Sequence, residues 1–344
     1  MLNYLVTGGA GFIGSNFVEY IIKQNSDYKV LVLDKLTYAG NKENLQEVID
    51  QIKFIQGDIK NKELVESIFE EYEIDYVVNF AAESHVDNSI EEAGVFIETN
   101  VKGTQTLLEV AKEYWQIKQG AYKDKAKFIQ ISTDEVYGSL GEEGYFDENS
   151  SLEPSSPYSA SKASADLIAH SYYKTYEFPV IISRCSNNYG PKQHREKLIP
   201  LMIDHILAGE KLPLYGDGTN IRDWIYVKDH VRALKHIITQ GKIGEVYNIG
   251  ANNEQQNLDV VKGLIDIIKE LVIRDNKYQK VLKTRINDIN YSLIEFIKDR
   301  PGHDWRYAID NSKIKEELDW QPQISFYEGL KKTVKWYLEQ ELKE

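Results

Sequence analysis

The residues best suited to chemistry stand in two short segments: Thr133-Asp134-Glu135, directly after the apolar run Lys127 to Ser132, and Tyr158 with Lys162, just after Pro157. Two consecutive carboxyl groups leave the backbone in different directions, so one can donate a proton while the other accepts one at a neighbouring atom of the same substrate. That is the requirement for eliminating water across a carbon–carbon bond. The alternative for these acids is a charge pair at a helix N-terminus or a surface turn. Tyr158 and Lys162 are four residues apart, which on a helix places phenol and ammonium on one face. A phenol of pKa about 10 is a poor base near neutrality, and an adjacent cation lowers that pKa by favouring the phenolate. The alternative for this pair is an ordinary surface contact.

A second constellation lies at the start of the chain. Thr7-Gly8-Gly9-Ala10-Gly11-Phe12-Ile13-Gly14 follows a β-type run and opens a helical pattern, with the G-x-G-x-x-G spacing at Gly9, Gly11 and Gly14. Such a turn lets bare backbone approach a pyrophosphate and puts its charge on a helix N-terminus. Asp34 falls 20 residues beyond Gly14, where a carboxylate accepts hydrogen bonds from an adenosine ribose and repels a 2′-phosphate, favouring NAD over NADP. Lys35 beside it is the one feature pulling towards NADP. Asp58 in Gly57-Asp58-Ile59 is placed either to reach an adenine amino group or to cap a helix. The small residues of Asn79-Phe80-Ala81-Ala82-Glu83-Ser84-His85 let a cofactor lie close to the backbone.

These segments need a scaffold that brings them together, and the hydropathy pattern supplies one. Short apolar runs at Tyr4–Thr7, Val30–Leu33, Lys53–Ile55, Tyr76–Phe80, Lys127–Ser132 and Val180–Ser183 alternate with helix-length segments. Those segments are Phe12–Ile22, Glu63–Phe69, Val101–Ala111 and Tyr158–Tyr173. The pattern predicts an α/β fold with a doubly wound parallel sheet of the Rossmann type. The alternation stops after Tyr189-Gly190-Pro191. We therefore expect a cofactor domain over 1–188 and a smaller mixed substrate domain over 189–344, interleaved through a return segment near 225–250. The tail from Lys331 reads as a surface helix with Val334, Trp336, Tyr337 and Leu338 partly buried.

The formal charge of −13 over 344 residues repels nucleic acid and anionic membrane surfaces, so neither is an expected partner. Any phosphorylated ligand must then be met by a few placed cations or helix N-termini. Cys185 is the only cysteine, which excludes an intrachain disulfide and a thiolate metal cluster, and no metal is expected. The first residues carry no basic stretch ahead of an apolar one, and no apolar run approaches the roughly 18 residues of a membrane span, so a cytoplasmic location is expected.

The glycine turn combined with Tyr158 and Lys162 resembles the extended short-chain dehydrogenase/reductase family along nearly the whole chain. Thr133-Asp134-Glu135, Asp299-Arg300-Pro301-Gly302-His303-Asp304, Ala81 to Asp87 and Asn220-Ile221-Arg222-Asp223-Trp224 narrow the resemblance to the dTDP-glucose 4,6-dehydratases. The resemblance implies a cycle that oxidises C4 of the sugar, removes water across C5 and C6 and reduces C6, with NAD tightly bound and regenerated. It assigns Tyr158 to the C4 hydroxyl proton, Glu135 to the C5 proton and Asp134 to the departing hydroxyl. Asp134 must then hold a proton near neutral pH while Glu135 and Asp34 do not, the acid pair titrating as a coupled unit.

The same resemblance gives Thr133 a bond to the C4 oxygen and Lys162 a bond to the nicotinamide ribose, and adds Thr37 and Thr99 to the cofactor contacts. It turns Asn187 towards the sugar and Asn188 towards the cofactor. Ser84, His85, Lys197, Leu198, Pro213, Tyr215, Asn257 and His303 surround the nucleotide sugar, and Arg222 and Arg300 meet its pyrophosphate. Gln255 and Gln256 depart from the family pattern before Asn257. A homodimer is implied through the helices near Val101–Tyr114 and Tyr158–Tyr173, which carry Leu107, Leu108, Leu167 and Ile168. Three alternatives share part of this pattern. A UDP-glucose dehydratase differs by one methyl on the base, worth about 1–3 kcal/mol; a 4-epimerase has no use for Asp134 and Glu135; and a silent NAD-binding regulator would need no intact catalytic set.

Overall fold

The computed structural model describes residues 2–24, 27–299 and 301–343. Seven strands form the main sheet: β1 (Leu2–Thr7), β2 (Tyr28–Asp34), β3 (Ile52–Gln56), β4 (Tyr76–Asn79), β5 (Lys127–Thr133), β6 (Val180–Cys185) and β7 (Val246–Ile249). All are parallel, in the order β7-β6-β5-β4-β1-β2-β3. The apolar runs are continuous because both sheet faces are covered. Tyr4, Val6, Val30 and Val32 enter one core with helix Phe12–Gln24, whereas Leu5, Leu31 and Leu33 enter the other with helices Lys62–Glu71 and Thr104–Trp115. β7 returns to the sheet from far along the chain, pairing Val246 to Ile249 with Ile182 to Cys185.

The strand order reverses between β1 and β4, and at such a point the carboxyl ends of the strands open a crevice. A third core lies beyond that crevice. Helices Leu198–Ala208, Asn257–Arg274 and Phe326–Glu341 bury Ile203, Leu264, Ile268, Val334 and Leu338 together. Strand Ile221–Tyr226 joins the two parts by pairing with Asn187–Tyr189, three residues that follow β6 after Ser186.

Local structure departs from the sequence expectation at three places. The expected helix Val101–Ala111 is preceded by a wide π turn over Ile97–Gly103 and then runs Thr104–Trp115. The terminal helix begins at Phe326, and its Val334, Tyr337 and Leu338 are core residues. Asp134 and Glu135 do not alternate along a strand: β5 ends at Thr133, and the acids occupy a 3-10 turn, Asp134–Tyr137, whose N-cap is Thr133. The Thr133 hydroxyl accepts the Glu135 N–H at 3.3 Å, closing the turn and rotating the two carboxyls apart.

Candidate active site

A cavity of about 320 Å³ opens at the carboxyl edge of the sheet. From the glycine turn it takes in Gly8, Gly11, Phe12, Ile13 and Gly14; beyond β2 and β3 it takes in Asp34, Lys35, Thr37, Asp58 and Ile59. Ala81, Ala82 and Ser84 follow from the segment after β4, with Thr99 from the π turn. Its far wall carries Thr133, Asp134, Glu135, Tyr158, Lys162, Asn187, Asn188 and Lys197. The residues expected to hold a dinucleotide and those expected to act on a substrate therefore share one wall-to-wall space.

The cofactor end is built from bare backbone. Gly8 has φ +66°, and a Cβ there would lie 2.6 Å from Ala81 N; one on Gly14 would lie 2.3 Å from Gly8 O. No side chain fits in either place, and the turn leads straight into the N-terminus of helix Phe12–Gln24. Asp34 locks this turn, its two carboxylate oxygens accepting Ala10 N–H and Leu36 N–H, both at 2.8 Å. Burial pushes its pKa above the ordinary carboxylate value, opposed by those two N–H groups. Lys35 pairs with Asp58 at 3.0 Å. Asp58 is not a helix cap: Asn61 caps Lys62–Glu71, while Asp58 accepts Lys60 N–H at 2.9 Å. Burial raises the Asp58 pKa, and the Lys60 N–H and the Lys35 charge outweigh it, leaving the carboxyl below its usual range.

Helix Pro157–Tyr176 positions the tyrosine and lysine. Ser156 and Ser159 form a capping box, and Pro157 supplies the fixed φ of the first turn. Both side chains are buried, and the Lys162 ammonium donates to Ile131 O at 2.6 Å. Burial and then the Glu135 charge hold Tyr158 well above its ordinary pKa. Desolvation therefore dominates at the phenol while the cation is directed at a backbone carbonyl.

Asp134 is 2% exposed. Its Oδ1 accepts the Thr133 hydroxyl at 3.3 Å, and its Oδ2 makes no hydrogen bond with a described residue. Burial, then Glu135, then Asp223 push its pKa well above the carboxylate range, which is the state required of a proton donor. A carboxyl whose pKa is raised by folding contributes stability that is complete below the unfolded pKa of about 4 and is lost as pH rises towards the folded value. Asp134→Asn is therefore expected to be more stable than the parent at neutral pH by roughly 1–3 kcal/mol, the gain vanishing near pH 3. Denaturant unfolding across that range tests it, and a difference that stays constant with pH would contradict the raised pKa.

Several expected substrate residues lie away from the cavity wall. His85 caps helix Val86–Glu91, its Nδ1 accepting Asn88 N–H at 3.4 Å. Leu198 opens helix Leu198–Ala208 against the third core, Pro213 lies in strand Leu212–Tyr215, and the Tyr215 hydroxyl donates to Asp87 at 3.4 Å. Asn257 opens its helix with a buried Oδ1, and His303 pairs with Asp299 at 2.6 Å. Arg222 is buried over the Tyr307 ring and donates to the carbonyls of Ile221, Asp304 and Trp305. Arg300 lies outside the described residues.

Sequence reasoning missed Cys185, Ser186, Gln193, His194 and Glu196, which also line the cavity. The signal that could have found Cys185 is its place at the end of β6, on the carboxyl edge of the sheet where the crevice opens. Burial pushes its thiol up to about 12, so it is no nucleophile. Asp223 was also missed; its carboxylate accepts Asn253 N–H at 2.6 Å and Ala251 N–H at 2.9 Å, behind Asp134.

A doubly wound sheet with a dinucleotide turn, facing a tyrosine–lysine helix across the strand-order reversal, defines an extended short-chain dehydrogenase/reductase. Within that class the chain belongs to the family described as GDP-mannose 4,6 dehydratase, whose model matches residues 5–333. The chain is 51% identical over 343 residues to a dTDP-glucose 4,6-dehydratase of Haemophilus influenzae, covering 98% of each sequence. Its structure is similar to a dTDP-glucose 4,6-dehydratase of Bacillus anthracis in complex with NAD, with TM-score 0.85 and 48% identity over 99% of this chain and 98% of that one. It is likewise similar to the dTDP-glucose 4,6-dehydratase of Streptomyces venezuelae with NAD bound, with TM-score 0.86 and 44% identity over 98% and 97%.

Proposed function

We propose that this chain is a dTDP-glucose 4,6-dehydratase, an NAD-dependent hydro-lyase that converts dTDP-glucose to dTDP-4-keto-6-deoxyglucose. The observation that carries the reading is the acid pair, with buried Asp134 beside Glu135 on the wall that also holds Tyr158. NAD suits the bare glycine turn at Gly8, Gly11 and Gly14 and the carboxylate at Asp34, with Asp58 and Ile59 towards the adenine and Lys162 and Asn188 towards the nicotinamide end. When bound, it supplies the reversible oxidation of the sugar, leaving no net redox change.

The chain's own residues move the protons. Tyr158 takes the C4 hydroxyl proton, and Thr133 hydrogen-bonds the same oxygen. The ketone so formed acidifies the C5 hydrogen, which Glu135 removes and later returns. Asp134 gives its proton to the C6 hydroxyl, which departs as water. A phenol as buried as Tyr158 keeps its proton until positive charge enters the cavity, so this first transfer is coupled to ligand binding. Lys197 brings a cation to the wall, its Nζ donating to Ser84 O at 3.0 Å. Arg222, steadied by three backbone carbonyls, and Arg300 are the cations proposed for the substrate pyrophosphate.

The protein incubated with dTDP-glucose and UDP-glucose in parallel, without added NAD, tests the reading. Water loss to a 4-keto-6-deoxy sugar from dTDP-glucose alone supports it in full. Conversion of both donors broadens the substrate, an epimerised hexose removes Asp134 and Glu135 from these roles, and no turnover with NAD added favours a silent binder.

We further propose a cytoplasmic homodimer, with residues 1–188 and the return segment near 225–250 holding cofactor and the remainder holding substrate. No helix among the described residues is long and apolar enough to cross a membrane. Leu107 and Leu108 belong to the chain's own core, whereas Leu167 on helix Pro157–Tyr176 is 60% exposed, and Ile97 and Val95 are exposed on segments that pack against that helix. That face suits a second copy of the chain. Leu167→Asp is expected to convert the dimer to monomer in sedimentation, and an unchanged sedimentation coefficient would place the interface elsewhere.

A further inference from the structure

The face of helix Pro157–Tyr176 that carries Tyr158 and Lys162 continues at the same four-residue spacing to Asp166. Asp166 is 1% exposed, and its Oδ2 accepts Arg184 Nε, from β6, at 3.0 Å. The carboxylate is also attracted to Lys162. Arg184 is fixed from its other side: Nη1 donates to the Tyr137 hydroxyl at 2.9 Å, and the guanidinium lies 4.9 Å from the centre of that ring. Tyr137 in turn donates to Asn248 Oδ1, on β7, at 2.8 Å. All six side chains are buried.

Two cations share this dry region, and guanidinium does not give up its proton. With only the Ile131 carbonyl as partner, a buried ammonium would lose its own proton more readily, since desolvation disfavours the charged form. Asp166 is bonded to Arg184 and stands one helical turn from Lys162. We infer that Asp166 is a positioning residue for the reaction: bonded to Arg184 and one turn along the helix from Lys162, it keeps the Lys162 ammonium charged behind Tyr158. The inference rests on the roles given to Tyr158 and Lys162 above.

The other groups around this face are Tyr158 on the same helix, Cys185 on β6, Ser132 on β5 and Asp134 and Glu135 on the turn after β5. The π turn contributes the neutral Asn100, bonded to Ser161 at 2.8 Å. Replacing Asp166 alone therefore changes the charge facing Lys162 and leaves the acid pair in place.

The experiment compares pH profiles of kcat for the holoenzyme and its Asp166→Asn, Asp166→Glu, Arg184→Gln and Lys162→Met variants, with bound NAD measured in each. Asp166→Asn is expected to bring the alkaline limb to lower pH, so that kcat at pH about 9 falls at least roughly tenfold more than at pH about 7. Asp166→Glu should restore the limb in part. Arg184→Gln should move it the opposite way, because the whole Asp166 charge then falls on Lys162, and this holds the test open where Asp166→Asn does not fold. Normalised profiles that superimpose on the parent's would overturn the inference and leave Asp166 a purely structural residue. Turnover retained in Lys162→Met would overturn the functional reading beneath it, whereas turnover lost in that variant with an unshifted Asp166→Asn limb would remove the role of Asp166 alone.

Discussion

Tyr158→Phe is expected to lower kcat on dTDP-glucose by about 10²–10⁴-fold, with no reduced nicotinamide appearing and no exchange of the C5 hydrogen with solvent. The substitution removes one oxygen from a buried side chain whose ring packs edge-on against Phe96 at 6.3 Å, so packing and fold should be kept. What is lost is the group that accepts the C4 hydroxyl proton, and every later proton transfer depends on the ketone made in that step. Stopped-flow absorbance of the reduced cofactor and deuterium incorporation from solvent read the two effects separately. Reduced cofactor forming at the parent's rate would move the first base to another residue.

Glu135→Gln should separate the steps. The amide keeps the shape of the carboxyl but cannot take a proton from C5, so turnover falls by about 10²–10⁴-fold while oxidation at C4 persists. Reduced nicotinamide is then expected to accumulate on addition of dTDP-glucose, with no water lost and no solvent deuterium entering C5. The same change removes the like charge beside Asp134, one of the causes that hold its carboxyl protonated, so the Asp134 pKa should fall in this variant. Water loss at nearly the parent's rate would remove Glu135 from the mechanism.

The turn that joins these two acids shows where sequence reading stops. Adjacent carboxyls in Thr133-Asp134-Glu135 announce a proton-transfer pair, but alternation along a strand would have sent them to opposite faces of the sheet. The Thr133 cap and the 3-10 turn instead put both on the cavity wall, one buried and the other nearer solvent. Arg222 illustrates the same limit. Its residue type and motif suit a phosphate, yet carbonyl partners contributed by residues 304 and 305 decide where the guanidinium lies.

By itself, the sequence determined the sheet, the glycine turn and the identity of the chemical groups. Continuous apolar runs have only one low-energy use, burial on both faces, and a turn that must exclude every Cβ admits only glycine at its tightest points. Tertiary structure alone decided the protonation states and the supports. Whether Asp134 keeps its proton depends on desolvation and on Asp223, 89 residues further along the chain. Whether Lys162 stays charged depends on Arg184 and Asp166 meeting across a helix and a strand. Those are sums of charge and burial over neighbours brought together by folding, and no local spacing encodes them.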